Sequence, residues 1–101
     1  MGKIYVNQTK LRLQLNTGVS IESGDAPYIK YKKPDSDTVL TLVAEILDPD
    51  DGSIYYDFKD ESTSETLDTV GVWVFWSYIV FNDGLVAPGE PVSIRVYEEG
   101  N

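Results

Sequence analysis

Gly71-Val72-Trp73-Val74-Phe75-Trp76-Ser77-Tyr78-Ile79-Val80-Phe81 is a run without charge or proline, built almost wholly from β-branched and aromatic side chains. In a helix such side chains lose rotamer freedom against the preceding turn, whereas on a pleated strand they pack well. The run therefore predicts one long central strand. Successive residues of a strand project to opposite faces. One face then carries Trp73, Phe75, Ser77, Ile79 and Phe81, and the other carries Val72, Val74, Trp76, Tyr78 and Val80. Both faces are apolar, although a strand on the surface of a small sandwich needs only one such face. The second face is the candidate interaction surface. Five apolar side chains pointing outward would expose on the order of several hundred Å², which monomers seldom leave bare. Aromatic side chains of this kind are enriched at protein interfaces. The valines between the rings suit packing against protein and offer no hydrogen bonds to a sugar.

On either side of this run, strand signals recur between turn clusters, and no segment has a helical period. Residues 3–6 form a first short strand. Residues 10–15 alternate, with Leu11, Leu13 and Leu15 on one face and Lys10, Arg12 and Gln14 on the other. Val19 and Ile21, between the turn clusters 16–18 and 23–25, plug one end of the core. Residues 28–33 form a strand with Tyr28, Lys30 and Lys32 on one face, and 38–47 return as its hairpin partner. The apolar residues of 38–47 are dense, which suits a bulge or a change of sheet midway. Residues 53–58 follow, then an acidic stretch, 59–68, with one helical turn and Leu67 pinned to the core. After the central strand, Asn82-Asp83-Gly84 is a turn. Pro88-Gly89 closes a loop, and 91–98 form the last strand, with Val92, Ile94 and Val96 inward. These signals favour an all-β, two-sheet antiparallel sandwich of about seven strands and immunoglobulin-like type. A single domain spans 1–101, and a small barrel is the competing architecture.

Composition narrows the chemistry. The chain has no cysteine and no histidine, which removes disulfides, thiolate metal sites and the side chain most used for acid–base catalysis near neutral pH. A formal charge of −9 argues against a nucleic-acid partner, because phosphate binding needs basic surface. No apolar run reaches the roughly 20 residues of a membrane-spanning helix. Met1-Gly2-Lys3-Ile4 leads straight into a strand-like segment, so no signal peptide is expected. Charge is uneven: residues 1–33 hold six of the eight bases, while 48–68 hold eight acids against Lys59 alone. Such a contrast orients a protein on a partner only if folding does not interleave the segments.

Catalytic and metal motifs fare poorly. Asp48-Pro49-Asp50-Asp51-Gly52 is the best calcium candidate, but its glycine comes one place too early for an EF-hand and Lys59 stands where the bidentate Glu belongs. Asp-Gly clusters are first of all turn formers. No spacing singles out a carboxylate pair for glycoside hydrolysis. Ser20 and Ser77 have no histidine to activate them, and no glycine-rich loop opens a helix to cradle phosphate. The expectation is a non-enzyme with no cofactor and no metal.

Lys3-Ile4-Tyr5-Val6 at the start, then Asn16-Thr17-Gly18-Val19 and Ser23-Gly24-Asp25-Ala26, carry a resemblance that spans nearly the whole chain. It continues with Tyr31-Lys32-Lys33-Pro34-Asp35, with Leu67-Asp68 ahead of Gly71-Val72-Trp73, and with Val96-Tyr97-Glu98. The sequence resembles a family of short tailed-phage proteins with an immunoglobulin-like fold, and is similar also to the N-terminal domain of some phage baseplate upper proteins. The resemblance implies a non-enzymatic virion part on capsid, tail or baseplate, made in the host cytoplasm. Its partners would be capsid or tail subunits, or further copies of itself, and no catalytic residues carry over. Two departures matter. Proteins of this type tend to be polar on the outer face of the Trp-containing strand, where this chain has Val74, Trp76 and Val80, and residues 59–66 are acidic and idiosyncratic. Docking on virion proteins through that face is the expected role. The rival is a carbohydrate-binding adhesion module that stacks sugars on Trp76 and Tyr78.

Overall fold

The computed structural model describes residues 3–8, 11–58 and 67–100, and every regular element among them is a strand. In chain order these are β1 (Ile4–Tyr5), β2 (Leu11–Asn16), β3 (Ala26–Lys32), β4 (Leu40–Val43), β5 (Glu45–Asp48), β6 (Ser53–Phe58), β7 (Gly71–Val80), β8 (Val86–Pro88) and β9 (Val92–Tyr97). They form two sheets in a sandwich-like all-β fold. The large sheet runs β1-β9-β7-β3-β4 with β8 also on β7, and the small sheet runs β2-β6-β5.

The uncharged run does organise the molecule. Strand β7 pairs with β3 along one edge, from Val74↔Lys32 to Val80↔Ala26. Its other edge is shared: β9 takes Gly71 to Phe75, and β8 takes Tyr78 to Val80. All of these pairings are antiparallel, whereas β1 lies parallel to β9. The Asn82-Asp83-Gly84 turn closes the β7–β8 hairpin, with the Phe81 amide donating to the Leu85 carbonyl at 2.8 Å. Strand β8 departs from the expectation that residues near Pro88-Gly89 are loop. Pairing resumes at Val92↔Phe75 after Pro88↔Tyr78, so four steps on one strand match three on the other. That extra residue is a bulge. The Gly89 amide still donates to the Ser77 carbonyl at 2.8 Å, and Pro91, which has no amide to give, stands just outside the ladder.

Residues 38–47 resolve into two strands in different sheets. Strand β4 pairs with β3 in the large sheet, and after Ala44 the chain continues as β5 beside β6 in the small one. The switch explains the dense apolar pattern: Leu42 and Ala44 are both buried, at the corner where one inward face hands over to the other. This split and the addition of β8 account for nine strands among the described residues where about seven were expected.

The core lies between the sheets. Trp73, Phe75 and Ile79 of β7 are buried as the alternation requires, and Ser77 shares that face at 3% exposure. Tyr31 of β3 stacks against Trp73 and Phe75 with centroids 5.8 and 5.9 Å away. From the small sheet come Leu13, Ile54 and Phe58, while Ile21 closes one end and Leu67 is buried where residues 67–70 lead into β7. The helical turn expected within 59–68 falls mainly on residues 59–66, outside the described residues.

Candidate functional site: the outer face of the large sheet

Because Trp73, Phe75, Ser77 and Ile79 point into the core, Val72, Val74, Trp76, Tyr78 and Val80 point outward. The structure thus puts all five candidate residues on one open sheet face. It also corrects how bare they are. Only Val72 is exposed, at 38%, and the other four are half-buried. The cover comes from cross-strand neighbours that the single-strand reading did not supply.

Register names those neighbours. On the β3 side, Tyr28 lies opposite Tyr78, Lys30 opposite Trp76, and Lys32 opposite Val74. On the β8–β9 side, Arg95 lies opposite Val72, Ser93 opposite Val74, and Pro88 opposite Tyr78. Beyond β3, Val43 is paired with Tyr28 and is 73% exposed. The Lys30 ammonium stands 3.9 Å above the Tyr78 ring centroid, and at the far edge Lys3 lies 4.8 Å over Tyr97. Lysine stems lying over aromatic surface hide it while keeping the charge accessible, and a cation over a ring face is itself attractive.

The charge pattern of this face is the feature the sequence concealed. Its outward strand positions include Lys30, Lys32 and Arg95 and no aspartate or glutamate, in a chain with 17 acids and eight bases. Neither ion pair among the described residues belongs to it. Arg12 forks onto Asp57 at 2.7 and 3.1 Å on the outside of the small sheet. The hydrogen bond to Asp57 holds the Arg12 guanidinium above its ordinary pKa. Lys33 holds Asp68 at 3.0 Å. Burial tends to raise the Asp68 pKa, but hydrogen bonds from Lys33 and Thr69 outweigh it and leave the carboxyl below its usual value.

Acids collect elsewhere. Strand β5 is an edge of the small sheet, and all four of its residues are exposed. Glu45 and Asp48 flank Ile46 and Leu47, exposed at 39% and 44%, and Asp50 and Asp51 follow in the turn. The carboxylates of that turn serve the backbone: Asp48 accepts from the Asp50 amide at 3.0 Å, and Asp51 accepts from the Ser53 amide and hydroxyl at 2.9 and 2.7 Å. Among the described residues, no three acids are placed to hold a metal ion. Ser20 donates to the Asp50 carbonyl at 3.2 Å, a loop-fixing contact. A cleft of about 540 Å³ follows the seam between the sheets, walled by side chains such as Leu11, Phe58, Phe75 and Ile94.

Sequence reasoning found the β7 residues and missed Lys30, Lys32, Arg95, Tyr28 and Val43 as parts of the same surface. A signal was present in residues 28–33, whose lysines share a face with Tyr28. What was missing was the strand order that sets β3 and β9 on either side of β7. No protein-family model matches the chain, and no curated protein matches it.

Proposed function

We propose that this chain is a non-enzymatic structural protein of a tailed-phage virion, a capsid-decoration, tail or baseplate component that docks on other virion proteins through the outer face of the large sheet. The fold we infer is immunoglobulin-like. Its support is a large sheet in which β9, β7, β3 and β4 take the order of the G, F, C and C′ strands, opposite a three-stranded β2-β6-β5 sheet in the order B, E, D. The sequence resemblance supplies the phage setting.

One observation carries the docking role: an aromatic and aliphatic sheet face whose outward strand positions hold three bases and no acid, on a protein of net charge −9. Trp76, with Tyr78, Val74 and Val72, would form the desolvated centre of the contact, and Lys30, Lys32 and Arg95 its polar rim. The adhesion reading is less well served. The Tyr78 ring face that a sugar would stack on already carries the Lys30 ammonium at 3.9 Å.

The test is to disrupt purified particles of the phage that encodes the chain into capsid and tail fractions, and to locate the chain by mass spectrometry. Recovery in one fraction at fixed stoichiometry, lost on Trp76→Lys, is the expected result. A chain found only in the infected-cell lysate overturns the virion role. Quenching of Trp76 by glycans would favour the adhesion module instead.

A further inference from the structure

Two surfaces of this molecule complement each other. The outer face of the large sheet offers Lys30, Lys32 and Arg95 around Trp76, Tyr78 and Val43, and none of these three bases has a carboxylate partner among the described residues. Along the β5 edge and the turn after it come Glu45, Asp48, Asp50 and Asp51, with exposed Ile46 and Leu47 between the first two in sequence, and none of these four acids has a Lys or Arg partner among the described residues. Each surface combines exposed apolar side chains with unmatched charge of one sign, and the signs are opposite.

We propose that the outer face of the large sheet receives the β5 edge of a second copy of the same chain, so that copies associate head to tail. This rests on the docking role proposed above and names the partner. Charge selects the geometry. A two-fold contact between two outer faces would set Lys30, Lys32 and Arg95 against their own equivalents. A two-fold contact between two β5 edges would oppose Glu45 and Asp48 with themselves, a common safeguard against edge-to-edge strand pairing. Only the heterologous contact brings bases to acids and Trp76 and Tyr78 to Ile46 and Leu47. Such a contact uses different patches on the two partners, so each copy keeps one of each kind free. It closes into a ring if the rotation allows and extends into a filament if not.

Light scattering and sedimentation from micromolar to millimolar concentration read the outcome. The wild-type chain should grow beyond a dimer in physiological salt. Two charge-reversed forms then test the pairing: Lys30→Glu with Arg95→Glu on the face, and Glu45→Lys with Asp48→Lys on the edge. Each alone should lose at least about tenfold in self-affinity. Mixed in equal amounts, they should assemble again, because each now complements the other at both surfaces. Recovery on mixing cannot come from unfolded protein. A wild-type chain monomeric throughout the range, or reversed forms that assemble alone as well as wild type does, overturns self-docking. Loss of virion incorporation is read separately on Trp76→Lys, so a monomer that still enters particles overturns this inference and leaves the docking role standing.

Discussion

The indole of Trp73 donates its Nε1 hydrogen to the carbonyl of Thr69 at 2.8 Å, tying the lead-in of the central strand to its largest buried side chain. Trp76, three residues on, points to the opposite face and is half-buried under neighbours of its own sheet. The two tryptophans therefore answer substitution differently. Trp73→Ala removes one of three mutually packed rings, the others being Tyr31 and Phe75, and should cost about 3–5 kcal/mol. A small domain has only about 5–15 kcal/mol in total. Trp76→Lys should cost clearly less, on the order of 1–2 kcal/mol in urea unfolding, because a half-buried ring loses its packing on the sheet and the new lysine stands opposite Lys30. Loss of the remaining near-ultraviolet circular dichroism, that of Trp73 included, on Trp76→Lys would place the Trp76 ring in the core and remove it from the proposed contact.

The turn between β5 and β6 gives a second contrast. Gly52 is buried with φ of +77°, and a Cβ there would collide with Thr17 Oγ1 and the Val19 carbonyl oxygen. Gly84 has a similar φ, +89°, with nothing near its missing side chain. A left-handed backbone costs a non-glycine residue about 1–2 kcal/mol. Gly84→Ala should lose that much and no more. Gly52→Ala should lose clearly more, because the Val19 carbonyl is backbone and the Thr17 amide is already bound to the Gly52 carbonyl at 2.9 Å. Equal losses in parallel urea titrations would mean that the loop shifts without cost.

Local chemistry was legible in the sequence wherever it acts within one strand. The alternation of residues 71–80 separated Trp73 from Trp76, and Leu11, Leu13 and Leu15 identified the inward side of β2. Asp48-Pro49-Asp50-Asp51-Gly52 read as a turn, and the apolar density of 38–47 suited a bulge or a change of sheet, of which the structure has the second, at Ala44. The composition of the outer face of the large sheet was not legible, because it depends on which strands lie side by side. Lys30 meets Trp76, and Arg95 meets Val72, across sequence separations that alternation does not encode. The alternation of residues 28–33 puts Lys30 and Lys32 on one face with Tyr28, and only β7 beside them turns them into the rim of an aromatic surface. Strand β8 escaped for a related reason: three residues ending in proline carry no period, and their pairing is imposed by the hairpin turn.

The Lys33–Asp68 pair predicts how stability responds to acid. Its 3.0 Å contact, with a second hydrogen bond from Thr69 at 3.0 Å, holds the Asp68 carboxyl below its usual value of 3.8 in the folded chain. A carboxyl whose pKa is depressed on folding stabilises the folded state above its unfolded pKa, and loses that contribution as pH falls through the folded one. The side chains are 28% and 46% exposed, so solvent screens the pair and the effect is small. Wild type should therefore exceed Asp68→Asn in stability by a constant margin above about pH 5. That margin should shrink progressively below the usual carboxyl value. It should also narrow in high salt at neutral pH, because the contact is ionic and partly exposed. Paired urea titrations across pH measure it directly. A margin that persists at about pH 2 would show that the Asp68 side chain stabilises the lead-in to β7 by packing and neutral hydrogen bonding, with the charge of Lys33 contributing nothing.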